Sequence, residues 1–277
     1  MSSGPWLAEL TQERAGWSWA SLRVLSLDVG TSLTVESKDE EMLALPLEGS
    51  WTVACGGDEF VLEGRDSVFS SPTDFSYIGR RLVATLTSND GGRIALAGAR
   101  ARRDLPFRYA SAGETVIEMR GSGACSRQVN NVCMPDRFEA DRLIVCEVIT
   151  PAGNWSSYPP HKHDENRPSE CELEEIYYFE IASGPVGPGM AYQRVYGTAE
   201  RPLELLAEVR SGDIVLVPHG WHGPSMATPG YDLYYLNVMA GPGERAWLIC
   251  DDPAHAWVRS TWDTQAVDAR LPFYTSK

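Results

Sequence analysis

Tyr158-Pro159-Pro160-His161-Lys162-His163-Asp164 and Gly212-Asp213-Ile214-Val215-Leu216-Val217-Pro218-His219-Gly220-Trp221-His222 are the two stretches on which the reading of this chain turns. The chain has five histidines, the first at position 161, and four of the five stand in these two stretches. In an extended strand alternate side chains share a face. His161 and His163 therefore point the same way, with Cα atoms about 7 Å apart, and Lys162 points to the opposite face. Two converging imidazoles with nearby carboxylates suit a divalent ion such as zinc, manganese, iron or nickel. The acids that follow are Asp164, Glu165, Glu170, Glu172, Glu174 and Glu175. Glu175 opens the run Glu175-Ile176-Tyr177-Tyr178-Phe179, where a rigid strand would hold it, and Glu174 is its rival. In the second stretch the Pro218-His219-Gly220 turn redirects the chain, which favours His222 over His219 as the residue facing back into a barrel mouth. A lone histidine is more often a packing residue. A His-x-His pair followed by an acidic cluster and then by a strand, a turn and a histidine is harder to assign to packing.

Outward from these stretches the texture is all-β. Leu22–Leu27, Glu41–Leu47, Ser50–Ala54, Glu59–Leu62, Leu82–Thr87 and Arg93–Gly98 are short apolar runs, several of them alternating. Asp141–Thr150, Glu175–Ala182, Ala191–Tyr196, Leu203–Val209, Asp213–Val217 and Asp232–Met239 repeat the pattern. Helices are expected only at Trp6–Gly16 and near Pro135–Arg142. A weak internal likeness sets Trp51–Ala54 and Glu59–Ser70 against Ile176–Ile181 and Glu204–Val217. It suggests a duplicated β-domain with its join between residues 110 and 145, taken as units 1–140 and 141–277. Only the second unit has histidine.

Composition narrows the partners. At 277 residues and 43% hydrophobic, the chain can bury a core. Its net charge of −14 argues against nucleic acid or an anionic membrane as partner. No apolar run is long enough to span a bilayer. No signal peptide is expected at the start, and the six dispersed cysteines read as free thiols of a cytoplasmic protein.

The two opening stretches resemble the paired motifs of the cupin superfamily, small jelly-roll barrels. Two departures, a longer gap from His163 to Glu175 and a single residue between Gly220 and His222, point to a narrower likeness. Thr150–Asp164, Leu173–Phe179, Tyr192–Tyr196 and Val217–Pro224 resemble the signature of the 5-deoxyglucuronate isomerase family, and Arg127-Gln128-Val129 and Asp252-Pro253 fit it as well. This bicupin family of myo-inositol catabolism is related to 5-keto-4-deoxyuronate isomerase. The resemblance implies two barrels in one chain, the first without a metal, and four ligands, His161, His163, Glu175 and His222, to a divalent ion. It implies conversion of 5-deoxy-D-glucuronate to 5-dehydro-2-deoxy-D-gluconate.

That reaction moves a proton from C2 to C1 of an anionic sugar. Glu174, His219 and Tyr177 are the candidates to carry it, and a hydride shift that needs no base is the other route. Arg194, on a strand face shared with Tyr192 and Tyr196, is the expected carboxylate partner. Lys162 and His255 are further candidates for substrate contact. Rival readings are another metal-cupin enzyme (a pectin-type uronate isomerase or an iron dioxygenase) and a non-enzymatic sugar-binding cupin. The first barrel would buttress the second or form a homo-oligomer contact.

Overall fold

The computed structural model describes residues 5–274. The apolar runs form strands where their alternation predicts. In the first half these are Ala20–Leu27, Glu40–Cys55, Asp58–Arg65, Val83–Ser88 and Gly92–Arg100. In the second they are Ile144–Thr150, Glu174–Ile181, Ala191–Tyr196, Glu204–Val209, Ile214–Val217 and Leu233–Ala240. Two expected runs merge into the single strand Glu40–Cys55. It pairs with Gly92–Arg100 up to Glu48 and with Asp58–Arg65 from Gly49 onward, so it passes from one sheet to another. The expected helix at Trp6–Gly16 is instead a strand, Trp6–Leu10, followed by one helical turn, Gln12–Ala15. Pairing with Ala20–Leu27 satisfies the backbone of that strand and overrides helix propensity. Around Pro135–Arg142 there is no helix. The backbone N–H groups of Asp141 and Arg142 donate to the Glu41 carboxylate instead.

Two sheets repeat one topology. The first contains, in spatial order, Ala20–Leu27, Gly92–Arg100, Glu40–Cys55 and Phe75–Ile78. The second contains Ile144–Thr150, Leu233–Ala240, Glu174–Ile181 and Ile214–Val217. Taken in chain order, both read first, fourth, second, third, with every pairing antiparallel. This is the jelly-roll pattern in duplicate. The repeat sets Glu40–Glu48, rather than Trp51–Ala54, against Glu174–Ile181. Val116–Arg120 and Arg127–Cys133 also pair into the second sheet, so the pairing divides between Ala110 and Val116, ahead of residue 140.

Strand alternation explains where the core sits. Ile176 and Tyr178 pack with Leu43, Leu45 and Leu47 in a cluster that joins the two halves back to back. Tyr177 and Phe179, on the other face, pack with Val129, Val148 and Tyr235 inside the second barrel. Met42 and Ala44 pack with Trp51 and Leu96 inside the first. Both faces of each shared sheet are therefore buried.

The same alternation sends Glu174 and Glu175 in opposite directions. Glu174 faces the first half, and its carboxylate accepts the backbone N–H groups of Ser18, Trp19 and Ala20 at 2.8, 2.8 and 2.9 Å. Glu41 returns the arrangement, accepting from Asp141, Arg142 and Leu143 at 2.8, 2.6 and 2.8 Å. Each half thus clamps the chain at the start of a strand in the other, Ala20–Leu27 in the first and Ile144–Thr150 in the second. A buried ion pair between Arg65 and Glu147 crosses the same seam, and Asn130 and the Tyr234 hydroxyl also donate to Glu147, at 2.9 and 2.8 Å.

Charge-assisted bonds to three amides make these clamps strong. Glu41→Gln and Glu174→Gln are each expected to lower unfolding free energy by about 1–3 kcal/mol in denaturant titrations. Unchanged midpoints in both variants would contradict the reciprocal clamp.

Candidate metal centre

The second barrel closes over a third sheet. In it the short strand His161–Lys162 pairs with Trp221–Ala227, and His161 stands directly opposite His222. Glu175 comes from the facing sheet. His163, Glu175 and His222 each offer a ligand atom within 4.8 Å of the others, and all three residues are buried. Glu175 Oε2 lies 3.1 Å from His163 Nε2 and 3.0 Å from His222 Nε2. His163 Nδ1 faces the Leu173 carbonyl at 3.2 Å, and His222 Nδ1 faces the Gly220 carbonyl at 3.4 Å. With Nδ1–H donating to a carbonyl, each Nε2 presents a lone pair to the common point beside Glu175. His222 Nε2 is fully buried and, despite the nearby carboxylate, has no aligned hydrogen-bond partner among the described residues. An orphaned buried nitrogen in a His–His–carboxylate set fits a divalent transition ion. His161 borders this group without joining it. Its ring lies 4.4 Å from that of His222 and 6.3 Å from that of His163.

Electrostatics favour the ligand forms of two of these groups. Burial, with the neighbouring His222 and His163, holds His161 well below the usual imidazole range, which keeps it neutral. Burial works to raise Glu175, but His222 and His163 outweigh it and hold the carboxyl well below the usual range. For His163, burial opposes the charge, yet Glu175 prevails and shifts the ring upward.

Local contacts explain how the sequence builds this geometry. Asp164 accepts the Gly220 N–H at 2.8 Å and pairs with Lys162 at 2.6 Å, tying the two ligand-bearing stretches together. The extra residues between His163 and Glu175 form the hairpin Asp164–Arg167 and Glu170–Glu172. Its return donates the Leu173 N–H to the His163 carbonyl at 2.8 Å. Gly223 follows His222 at φ 99°, where a Cβ would lie 1.8 Å from the Ser157 carbonyl oxygen. Only glycine permits that close approach.

A cavity of ≈ 590 Å³ opens onto His161, Glu175 and Tyr177. Of the three expected proton carriers it takes only Tyr177. Glu174 is committed to the seam between the halves. His219 lies near Arg201 and Asp164, outside the cavity wall. The Tyr177 hydroxyl meets Ser157 Oγ at 3.1 Å, and Ser157 meets the Tyr235 hydroxyl at 3.0 Å. Ser157 adopts the left-handed conformation, φ 47°, rare for a residue with a side chain. Burial and Glu175 push the Tyr177 phenol well above its ordinary value, so it keeps its proton.

None of the four expected substrate-binding residues lines the cavity. Tyr192, Arg194 and Tyr196 do share one face, but it is the outer one. Arg194 stacks on Tyr196 at 4.2 Å and lies 3.6 Å from Glu204, while Gln193, on the inner face, is buried. Lys162 faces away from the ligands and is neutralised by Asp164, Glu170 and Glu165 at 2.6, 2.7 and 3.2 Å. His255 packs beside Tyr158, with ring centroids 6.2 Å apart. The cavity is also lined by polar side chains that are not among the expected site residues: Arg120, Arg127, Arg259, Ser157, Tyr235 and Asn237. Most lie on strands or loops far from the histidine motifs. The family likenesses at Arg127-Gln128-Val129 and Thr150–Asp164 carry the available signals, for Arg127 and Ser157.

Known proteins bear on this geometry. The KduI/IolB family model matches residues 1–258. A Geobacillus kaustophilus protein named 5-deoxy-glucuronate isomerase is 40% identical over 255 residues, covering 91% of this chain and 90% of that protein. A Bacillus subtilis strain 168 protein of the same name is 39% identical over 253 residues, covering 90% and 91%. The crystal structure of an IolB-like protein from Salmonella typhimurium LT2 superposes with a TM-score of 0.86 at 34% identity, covering 93% of this chain and 97% of that one. Oxalate decarboxylase from Lactobacillus farciminis shares the fold, with a TM-score of 0.63 at 12% identity over 88% of this chain. With a duplicated jelly roll, a buried His–His–Glu cluster and relatives matched over nine-tenths of its length, this chain belongs to the KduI/IolB family.

Proposed function

We propose that the protein is an aldose–ketose isomerase that converts 5-deoxy-D-glucuronate to 5-dehydro-2-deoxy-D-gluconate in inositol catabolism. The observation that carries this reading is the Glu175 oxygen placed 3.1 and 3.0 Å from two buried imidazole nitrogens at the wall of a sugar-sized cavity. The names and extensive identity of the relatives supply the substrate. His161, His163, Glu175 and His222 would hold a divalent ion. Such an ion supplies Lewis-acid polarisation of the oxygens on C1 and C2. Zinc, manganese, iron and nickel are all accepted by imidazole and carboxylate donors.

The chain's own groups act on the substrate oxygens. Net isomerisation moves one hydrogen from C2 to C1 and one from the C2 hydroxyl to the C1 oxygen, so no oxidant enters. Tyr177 retains its phenolic proton and presents it at the cavity wall, where it serves a substrate oxygen as hydrogen-bond donor and proton carrier. Ser157 and Tyr235 fix the direction of that hydroxyl. The Asn237 amide nitrogen is buried, lacks a partner among the described residues and belongs to a cavity-lining residue, so it is available to a sugar oxygen.

Purified protein should convert 5-deoxyglucuronate without oxygen, lose activity on chelation and regain it when divalent metal is returned. Conversion that survives complete metal removal would contradict the mechanism, and a requirement for oxygen would place the protein among the dioxygenases. Tyr177→Phe should cut turnover by roughly 10²–10⁴-fold at undiminished metal content. Turnover within a few-fold of wild type would remove Tyr177 from proton transfer. Glu175→Gln should lower bound metal measured by elemental analysis, and full occupancy in that variant would show that the carboxylate is dispensable.

A further inference from the structure

Four guanidinium groups line the cavity, those of Arg120, Arg127, Arg137 and Arg259. Three have a carboxylate of their own. Arg120 meets Glu118 at 3.0 and 2.8 Å, Arg137 meets Asp136 at 3.2 Å, and Arg259 makes a two-point pair with Asp251. Arg127 has none among the described residues. Its Nη1 donates to two carbonyl oxygens, of Cys125 at 3.0 Å and Tyr158 at 3.4 Å, and its other N–H groups have no acceptor among the described residues. The residue is only 5% exposed. A buried cation without a counter-charge is costly, and a ligand anion would offset that cost.

The surroundings hold this group in place for such a ligand. The Trp262 ring lies 5.5 Å from the guanidinium carbon. The Tyr158 carbonyl ties Arg127 to the segment that continues into His161, so cation and metal centre share one support. Burial, with Arg120 and Arg259 nearby, lowers Arg127 to about 10, which leaves it charged at neutral pH. The unused edge of a guanidinium presents parallel donors that match the two oxygens of a carboxylate.

We infer that Arg127 is the specificity-determining residue that receives the substrate's C6 carboxylate, an assignment that rests on the isomerase reading above. It replaces Arg194, which lies outside the cavity. It also explains how a chain of net charge −14 accepts an anionic sugar.

The test is equilibrium binding to the metal-loaded protein. Two probes that cannot isomerise are compared: 5-deoxyglucuronate with its aldehyde reduced to the alcohol, and the C6 primary amide of that compound. Wild type should prefer the acid by about 100-fold, the scale of a charge-assisted two-point contact. Arg127→Gln should bring the two affinities within about threefold while leaving amide binding and metal content intact. Arg127→Lys, which keeps the charge and loses the fork, should fall between them. Should the Gln variant not fold, an unaltered preference in the Lys variant overturns the assignment. Full preference in Arg127→Gln, or none in wild type, overturns it as well. The isomerase reading is tested separately by turnover of the unreduced aldehyde. Failure there leaves the acid–amide comparison intact.

Discussion

The structure depends on the pleat of one strand. Glu174 and Glu175 are adjacent in sequence and opposite in direction, and each carboxylate is fixed by specific partners. One binds three backbone amides of the first half, and the other meets two imidazoles of the second. A one-residue slip would put one glutamate in the other's place, so that either the seam lost its acceptor or the cluster its acid, depending on the direction. The strand cannot slide, because Ile176 and Tyr178 are locked into the inter-half core and Tyr177 and Phe179 into the barrel. The first half therefore fixes the register on which the cluster depends, although it contributes no histidine.

The clamp also explains why the duplication survives as two unlike halves. Glu41 and Glu174 occupy corresponding places, and each binds the chain at the entry to the other half's sheet. The interior of the second barrel is free to differ. There a buried carboxylate, three imidazoles and a chain of hydroxyls replace apolar packing.

Much of this was legible in the residues, and the failures have physical causes. Strand positions followed from alternation, and the face of Lys162 followed from the pleat. The histidine spacing singled out the cluster, although His161 stands beside it rather than in it. The helix expected at Trp6–Gly16 gave way to sheet pairing at an edge, which local periodicity does not encode. Arg194 was misplaced because its strand alternates correctly but presents the Arg face outward, and which face is inner depends on the neighbouring sheet. Arg127 was passed over because what distinguishes it is the absence of a counter-ion, and only three-dimensional neighbours reveal that. The tension between an acidic chain and an anionic substrate likewise has a local answer, since net charge says little about a cavity edged with arginines.

The most direct measurement of the central claim is anomalous diffraction at the absorption edge of the bound metal, from crystals of metal-loaded protein. One strong peak is expected between Glu175 and the imidazoles of His163 and His222, with His161 as the fourth ligand. A peak elsewhere, or none at this cluster in protein shown to contain metal, would contradict it.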